Sequence, residues 1–139
     1  MSGMQAALGL SQLKEVKKIV IKKIKIAKLY KSQLKDLKDI IFAKEEKNSK
    51  NIYWQVGIRI KGNLKNKLAQ YLKKNGVDIR DFFYSMRNQP CLKKFIPKKI
   101  PETYNSNTLW EEGIYLPSSH DIKKKEILYI CNLIKKFMK

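Results

Sequence analysis

The sequence has 139 residues, of which 43% are hydrophobic, and this length allows one domain with a buried core. The formal net charge is +19, yet 28 of the 31 basic residues are lysines, whereas arginine is the side chain that best recognises phosphates and bases. The charge is therefore interpreted mainly as solvated helix faces, which argues against nucleic acid as a partner. The sequence contains neither an apolar run long enough for a membrane span nor a signal-peptide core, so we expect a cytoplasmic protein.

The chain opens with a predicted helix from about Ser2 to Leu37, inside a segment 1–43 that we interpret as a long linking helix. Ser2 is a suitable N-cap, and Gln5 stands three residues later, where it completes a capping box. Apolar residues then recur at spacings of three and four, as in an amphipathic helix: Ala6, Leu10, Leu13, Val16, Val20, Ile24, Ala27, Tyr30, Leu34 and Leu37.

The period of the pattern changes after a polar, turn-rich stretch at 45–51. Apolar and polar residues alternate from Ile52 to Ile60, which predicts a central, half-buried strand in which Trp54 and Val56 face the core. A helix with Leu64, Leu68, Tyr71 and Leu72 on one face follows, and Asn75-Gly76 ends it. Residues 77–84 are predicted to form a second strand that runs into a loop.

The last third of the chain combines a proline-containing loop with shorter elements. Three prolines break the stretch 85–103, Asn105 or Ser106 is predicted to cap a short helix ending at Gly113, and 114–117 form a brief strand. The final helix places five residues on its inner face: Ile127, Ile130, Cys131, Ile134 and Phe137. The predicted class is α+β, with a three-stranded, largely antiparallel sheet packed on helices within a small domain at 52–139.

Few residues carry recognisable chemistry. The single histidine, His120, has no partner at a catalytic spacing and is assigned a cap-region or surface role. Cys91 and Cys131 show no metal-ligand spacing and are interpreted as small buried hydrophobic residues, and no metal site is predicted. One polar and aromatic group is the candidate site, although core packing of the phenylalanines and solvation of the arginines explain it equally well: Arg80, Phe83, Tyr84, Arg87 and Gln89.

Several separated motifs resemble one enzyme family. MSGMQAALGLSQL, the long helix after it, NIYWQVGIRI, NGVDIRDFFYSMRNQP and EEGIYLPSS follow the order and approximate spacing of the C-terminal part of the DegT/DnrJ/StrS sugar aminotransferases. The chain looks most like members that aminate a nucleotide-linked 4-keto-6-deoxyhexose, perosamine synthetases among them. The resemblance implies an amino-sugar or surface polysaccharide pathway. A stand-alone basic module that binds nucleic acid or another polyanion is the alternative.

The resemblance also carries expectations about what lies outside this chain. Met1 falls inside a family motif, so the resemblance implies that a large domain with the Schiff-base lysine and the pyridoxal phosphate site is absent here. The isolated chain is then expected to bind no cofactor, to have no catalytic residue and to be inactive, as a split enzyme or an inert remnant. The missing large domain or a partner subunit would cover the early part of the long helix, so we expect apolar surface to be exposed around Ala6, Ala7, Leu10 and Leu13. Its expected partners are the missing large domain or a split-gene product, a second copy in the family's homodimer, and a nucleotide sugar.

Two departures from the family pattern fall in the candidate site. The resemblance places the loop that matches Phe83 to Pro90 near the sugar nucleotide, and Arg80 matches an arginine common in the family. Arg87 stands where the family usually has histidine, and Ser85 where it usually has proline. A cationic Arg87 is suited to face a diphosphate, and the alternative is that it records relaxed constraint in a remnant.

Overall fold

The structure is a computed structural model that describes residues 1–96 and 104–139. Its first helix, α1 (Gly3–Leu34), begins with the predicted capping box: the Ser2 hydroxyl accepts from the Gln5 amide, and the Gln5 side chain accepts from the Ser2 amide. The helix ends three residues before Leu37. Only its C-terminal half contributes buried residues, at Ile26, Ala27, Tyr30 and Leu34.

Within residues 1–96 and 104–139 the sheet has four strands rather than the predicted three. Its strands are β1 (Ile40–Phe42), β2 (Val56–Ile60), β3 (Arg80–Asp81) and β4 (Gly113–Leu116). They lie in the order β1-β2-β4-β3, and every neighbouring pair is antiparallel. The strand missing from the prediction is β1, inside the segment 1–43 that was interpreted as helix.

The central strand is shorter than predicted, and Trp54 is not part of the core. Val56, Ile58 and Ile60 are buried as expected, but Trp54 is 67% exposed, so its predicted burial is wrong. The backbone of Tyr53 adopts a left-handed conformation at φ 51°, and its amide donates to the side chain of Asn51. This local turn stops the alternation before Val56, because a strand keeps its faces only while the backbone stays extended.

The described part of the chain has three further α-helices. They are α2 (Lys65–Lys74), which ends at the C-cap Asn75 before the left-handed Gly76, α3 (Tyr104–Glu112) and α4 (Lys124–Phe137). Asn105 and Ser106 lie inside α3 and are therefore not its cap, and Gly113 is the first residue of β4. Two short 3₁₀ helices, Met86–Asn88 and Pro90–Phe95, occupy part of the predicted loop, whose remaining residues 97–103 lie outside the described part.

The core lies between one face of the sheet and the helices α1, α2 and α4. Aliphatic residues of β2 and β4 pack with Leu68, Ile127 and Ile134. The buried Tyr30 donates a hydrogen bond of 2.9 Å to the carbonyl of Pro117, so the one polar atom of this large ring is satisfied. Burial raises the pKa of the Tyr30 hydroxyl, which therefore stays protonated. None of the described helices combines the length and apolar content that a bilayer crossing requires.

The two cysteines should differ sharply in reactivity. Cys131 is buried as predicted, and burial raises the pKa of its thiol to about 11, whereas Cys91 is exposed, so its predicted burial is wrong. Because the thiolate is the nucleophile, a disulfide reagent at neutral pH should modify Cys91 quickly and Cys131 only on unfolding. Thiol titration should therefore count one thiol in the native chain and two in denaturant. A rapid reaction that survives Cys91→Ser would contradict the burial of Cys131.

Candidate functional site

The segment after β3 is attached to α3 by side-chain hydrogen bonds. The hydroxyls of Ser85 and Ser106 lie 2.9 Å apart, and the Asn88 amide donates to Asn107 Oδ1 at 3.2 Å. Ser85 is buried, so a serine at this position serves the packing between the two segments. The first 3₁₀ helix, which carries Arg87, is therefore held at both of its ends.

A buried lysine joins α2 to the same region. Lys65 is only 5% exposed; its ammonium donates to the carbonyl of Trp110 at 2.7 Å and lies 3.0 Å from the Asp81 carboxylate. The ammonium also lies 5.4 Å from the centre of the Trp110 ring, and the Tyr84 ring meets that ring edge-on at 4.6 Å. Lys65 thus connects α2, the strand β3 and α3, next to the Tyr84 ring of the candidate site.

An aromatic ring covers the face of the sheet opposite the main core. Phe82 stacks on Tyr115 with ring centres 4.4 Å apart, and its ring lies across Gly57 and Gly113. A Cβ added to Gly57 would come within 2.7 Å of the Phe82 ring, and one added to Gly113 would overlap both that ring and the Leu109 carbonyl. The two glycines therefore form the slot that seats Phe82.

A cavity of about 770 Å³ opens beside Tyr115. Its lining includes Lys23, Gln55 and Arg80, with Trp54 and Tyr115 supplying aromatic surface. The Lys23 ammonium donates to the Ser118 carbonyl at 2.5 Å, and burial lowers the pKa of this lysine. Gln55 Oε1 is buried, and no donor within the described residues reaches it.

The structure divides the five predicted site residues into two groups. Arg80 pairs with Tyr115 across the sheet, and Phe83, 74% exposed, meets the same Tyr115 ring edge-on at 6.3 Å. Tyr84 packs on Trp110 instead, and Arg87 and Gln89 lie half-buried in and after the first 3₁₀ helix. Neither Arg80 nor Arg87 forms an ion pair with a carboxylate of residues 1–96 or 104–139.

Several contributors were missed from the sequence. Lys65, Phe82 and Trp110 support the site, but their roles depend on contacts between distant segments, so the sequence carries no signal for them. His120 is exposed and lies 3.2 Å from Asp121, in keeping with its predicted surface role. The described residues contain no cluster of side chains suited to a metal ion.

The comparison with protein families decides the assignment. The model of the DegT/DnrJ/EryC1/StrS aminotransferase family matches residues 1–135, nearly the whole chain. The chain belongs to this family. It is 30% identical over 140 residues to the GDP-perosamine synthase of Vibrio cholerae, and the match covers 99% of this chain but only 37% of that enzyme.

Solved structures of aminotransferases share the fold. DesV of S. venezuelae superposes with a TM-score of 0.88 at 16% identity, over 98% of this chain and 36% of that one. The PLP form of the putative sugar aminotransferase Spr1654 from Streptococcus pneumoniae gives 0.83 at 19% identity, over 99% and 36%. The chain therefore spans little more than a third of the aminotransferases it resembles.

The described residues do not fit a pyridoxal phosphate site by themselves. The buried Lys65 amine is already engaged by the Trp110 carbonyl and the Asp81 carboxylate, whereas a lysine that forms a Schiff base must face open space. Lys23 borders the large cavity, but its ammonium is bonded to Ser118. Neither of these two lysines of the described ranges is assigned to a cofactor.

Proposed function

We propose that this chain is the C-terminal small domain of a pyridoxal-phosphate-dependent aminotransferase that acts on a nucleotide-linked 4-keto-6-deoxy sugar, and that it is inactive alone. The observation that carries the proposal is the family match over residues 1–135, together with the GDP-perosamine synthase among the relatives. When bound to a large domain, pyridoxal phosphate supplies the electron sink for amino-group transfer. The lysine that holds it would come from that domain, either fused or as a separate polypeptide.

The role proposed for this chain is to hold the nucleotide sugar. Arg80 and Arg87 have no carboxylate partner among the described residues, so their guanidinium groups are available to a diphosphate, which arginine binds in bidentate fashion. Phe83 and Tyr84 add exposed aromatic surface on which a sugar or base ring can pack, and Gln89 offers an amide. The bonds from Ser85 and Asn88 to α3 preorganise the segment, which lowers the entropic cost of binding.

A two-part activity assay tests this proposal. The purified chain would be mixed with the large domain of the Vibrio cholerae synthase as a separate polypeptide, pyridoxal phosphate, glutamate and a GDP-linked 4-keto-6-deoxyhexose. We expect amino-sugar product from the mixture and none from either part. Arg87→Ala should lower the rate of product formation at least about tenfold, because it removes one charge-assisted contact to the diphosphate.

Matched controls make the result decisive. Lys67→Ala removes one positive charge from an exposed position on α2 and should leave the rate unchanged. The synthase's own small domain, added in trans, shows whether its large domain is competent. Product from the competent large domain with its own small domain but not with this chain would contradict the proposal, as would equal rates for Arg87→Ala and Lys67→Ala.

A further inference from the structure

One face of α1 between Ala6 and Ile21 has no partner in the described structure. Leu10, Leu13 and Ile21 are 62%, 64% and 55% exposed. Large apolar side chains exposed on the surface of a monomer usually stand singly, whereas these three lie together. They share a face because residues three and four apart are neighbours on a helix. We call this face the α1 strip, and we define it by Ala6, Leu10, Leu13, Lys14, Lys17 and Ile21.

The charges within the α1 strip restrict what can cover it. Lys14 and Lys17 stand between Leu13 and Ile21 on the same face, and α1 contains a single acidic residue, Glu15, which pairs with Lys18 at 3.3 Å. An occupant that buries the leucines also desolvates the two ammonium groups. Unpaired ammonium groups are costly to bury, so the occupant must bring carboxylates to them.

We propose that the α1 strip is the docking surface for an acidic, amphipathic face of a polypeptide partner, with carboxylates opposite Lys14 and Lys17. The inference rests on the proposed function, in which a large domain must associate with this chain, and it adds the chemistry of the partner's surface. Charge complementarity of this kind raises the association rate and selects among partners. The partner's apolar residues would pack on Leu10, Leu13 and Ile21.

Two other occupants fit the strip less well. A second copy of the chain would bring the same lysines face to face between molecules that each carry +19. An anionic membrane would attract the lysines, but surface-bound helices keep their lysines on the opposite face and carry Trp or Phe on the apolar one. The α1 strip has lysines between its apolar residues and no aromatic side chain.

A peptide-binding experiment tests the inference without substrate or cofactor. The probe is a fluorescent synthetic helix with leucines along one face and glutamates beside them; a second peptide carries lysines in place of the glutamates. Fluorescence anisotropy should show binding of the acidic probe alone, with affinity falling as salt rises. Leu10→Ser combined with Leu13→Ser should weaken binding at least about tenfold, as should Lys14→Glu combined with Lys17→Glu.

Lys73→Glu combined with Lys74→Glu is the matched control, because it makes the same change of charge at exposed positions on α2. The affinity of this control variant for the acidic probe should stay within about twofold of that of the parent chain. Equal loss in this control, or no binding of the acidic probe, would overturn the inference. Two further results would overturn it if the acidic probe does not bind. One is a dimer in sedimentation that depends on Leu10 and Leu13, and the other is binding to phosphatidylglycerol vesicles that depends on the same two leucines. The peptide-binding assay needs no catalysis. Its result therefore stands even if the two-part activity assay yields no product.

Discussion

Replacing Gly113 with alanine should lower the free energy of unfolding by about 2–3 kcal/mol, the cost of an overpacked site that cannot relax. The added Cβ would overlap the Phe82 ring and the Leu109 carbonyl, and the second is a backbone atom at the end of α3. Since Gly113 also pairs with Arg59 across β2 and β4, the strand cannot move away without breaking its register. Denaturant unfolding followed by circular dichroism measures the change.

Gly9→Ala is the control for this substitution, because a Cβ at Gly9 meets nothing within 4 Å. It should leave stability unchanged or raise it by up to about 1 kcal/mol through helix propensity. Phe82→Leu in the Gly113→Ala background should recover part of the loss, since a smaller side chain clears only one of the two clashes. Equal denaturant midpoints for Gly113→Ala and the parent would contradict the close packing of the Phe82 ring against Gly113.

Lys65→Ala should lower the free energy of unfolding by about 2–3 kcal/mol, because it removes a charge-assisted hydrogen bond and leaves the Trp110 carbonyl without its donor. Asp81→Asn should cost less than about 0.5 kcal/mol, since the Asp81 side chain is 61% exposed and water screens the ion pair. The hydrogen bond to Trp110 is thus expected to dominate over the ion pair.

Tryptophan fluorescence gives a local measurement of the same contact. The chain has two tryptophans, and Trp54→Phe leaves Trp110 as the sole reporter. In that background Lys65→Ala should shift the emission to longer wavelength, because water gains access to the Trp110 ring. Lys67→Ala on the exposed side of the same helix should change neither emission nor stability, and similar shifts in both variants would count against the proposed contact.

The sequence predicted the elements whose signals are local. The capping box of Ser2 and Gln5, the alternation of Val56, Ile58 and Ile60 and the inner face of α4 all depend on residues within a few positions of one another. The prediction failed where distant segments decide the outcome. Ile40–Phe42 resembles a continued helical stripe in the sequence, and its pairing with β2 joins residues 16 to 20 positions apart along the chain.

The candidate site was predictable only in part for the same reason. Arg80, Phe83 and Tyr84 were identifiable by residue type, yet their separate supports, Tyr115 and Trp110, follow from the sheet order and from α3. The left-handed Tyr53 also escaped prediction, because a tyrosine in a regular alternation gives no indication of a turn. The family resemblance predicted the family to which the chain belongs, but not these contacts.

The strand order has a consequence for aggregation. The two outer strands are the shortest in the sheet, with three residues in β1 and two in β3. The longer strands β2 and β4 lie between them and are each paired on both sides. An edge this short offers few unpaired amides and carbonyls, so a passing strand from another molecule gains little by pairing with it. Lys44 and the acidic pair Glu45–Glu46 follow β1 closely and add charge to that edge. Fibril-like growth through the sheet is therefore disfavoured even while apolar helix surface stays open to solvent.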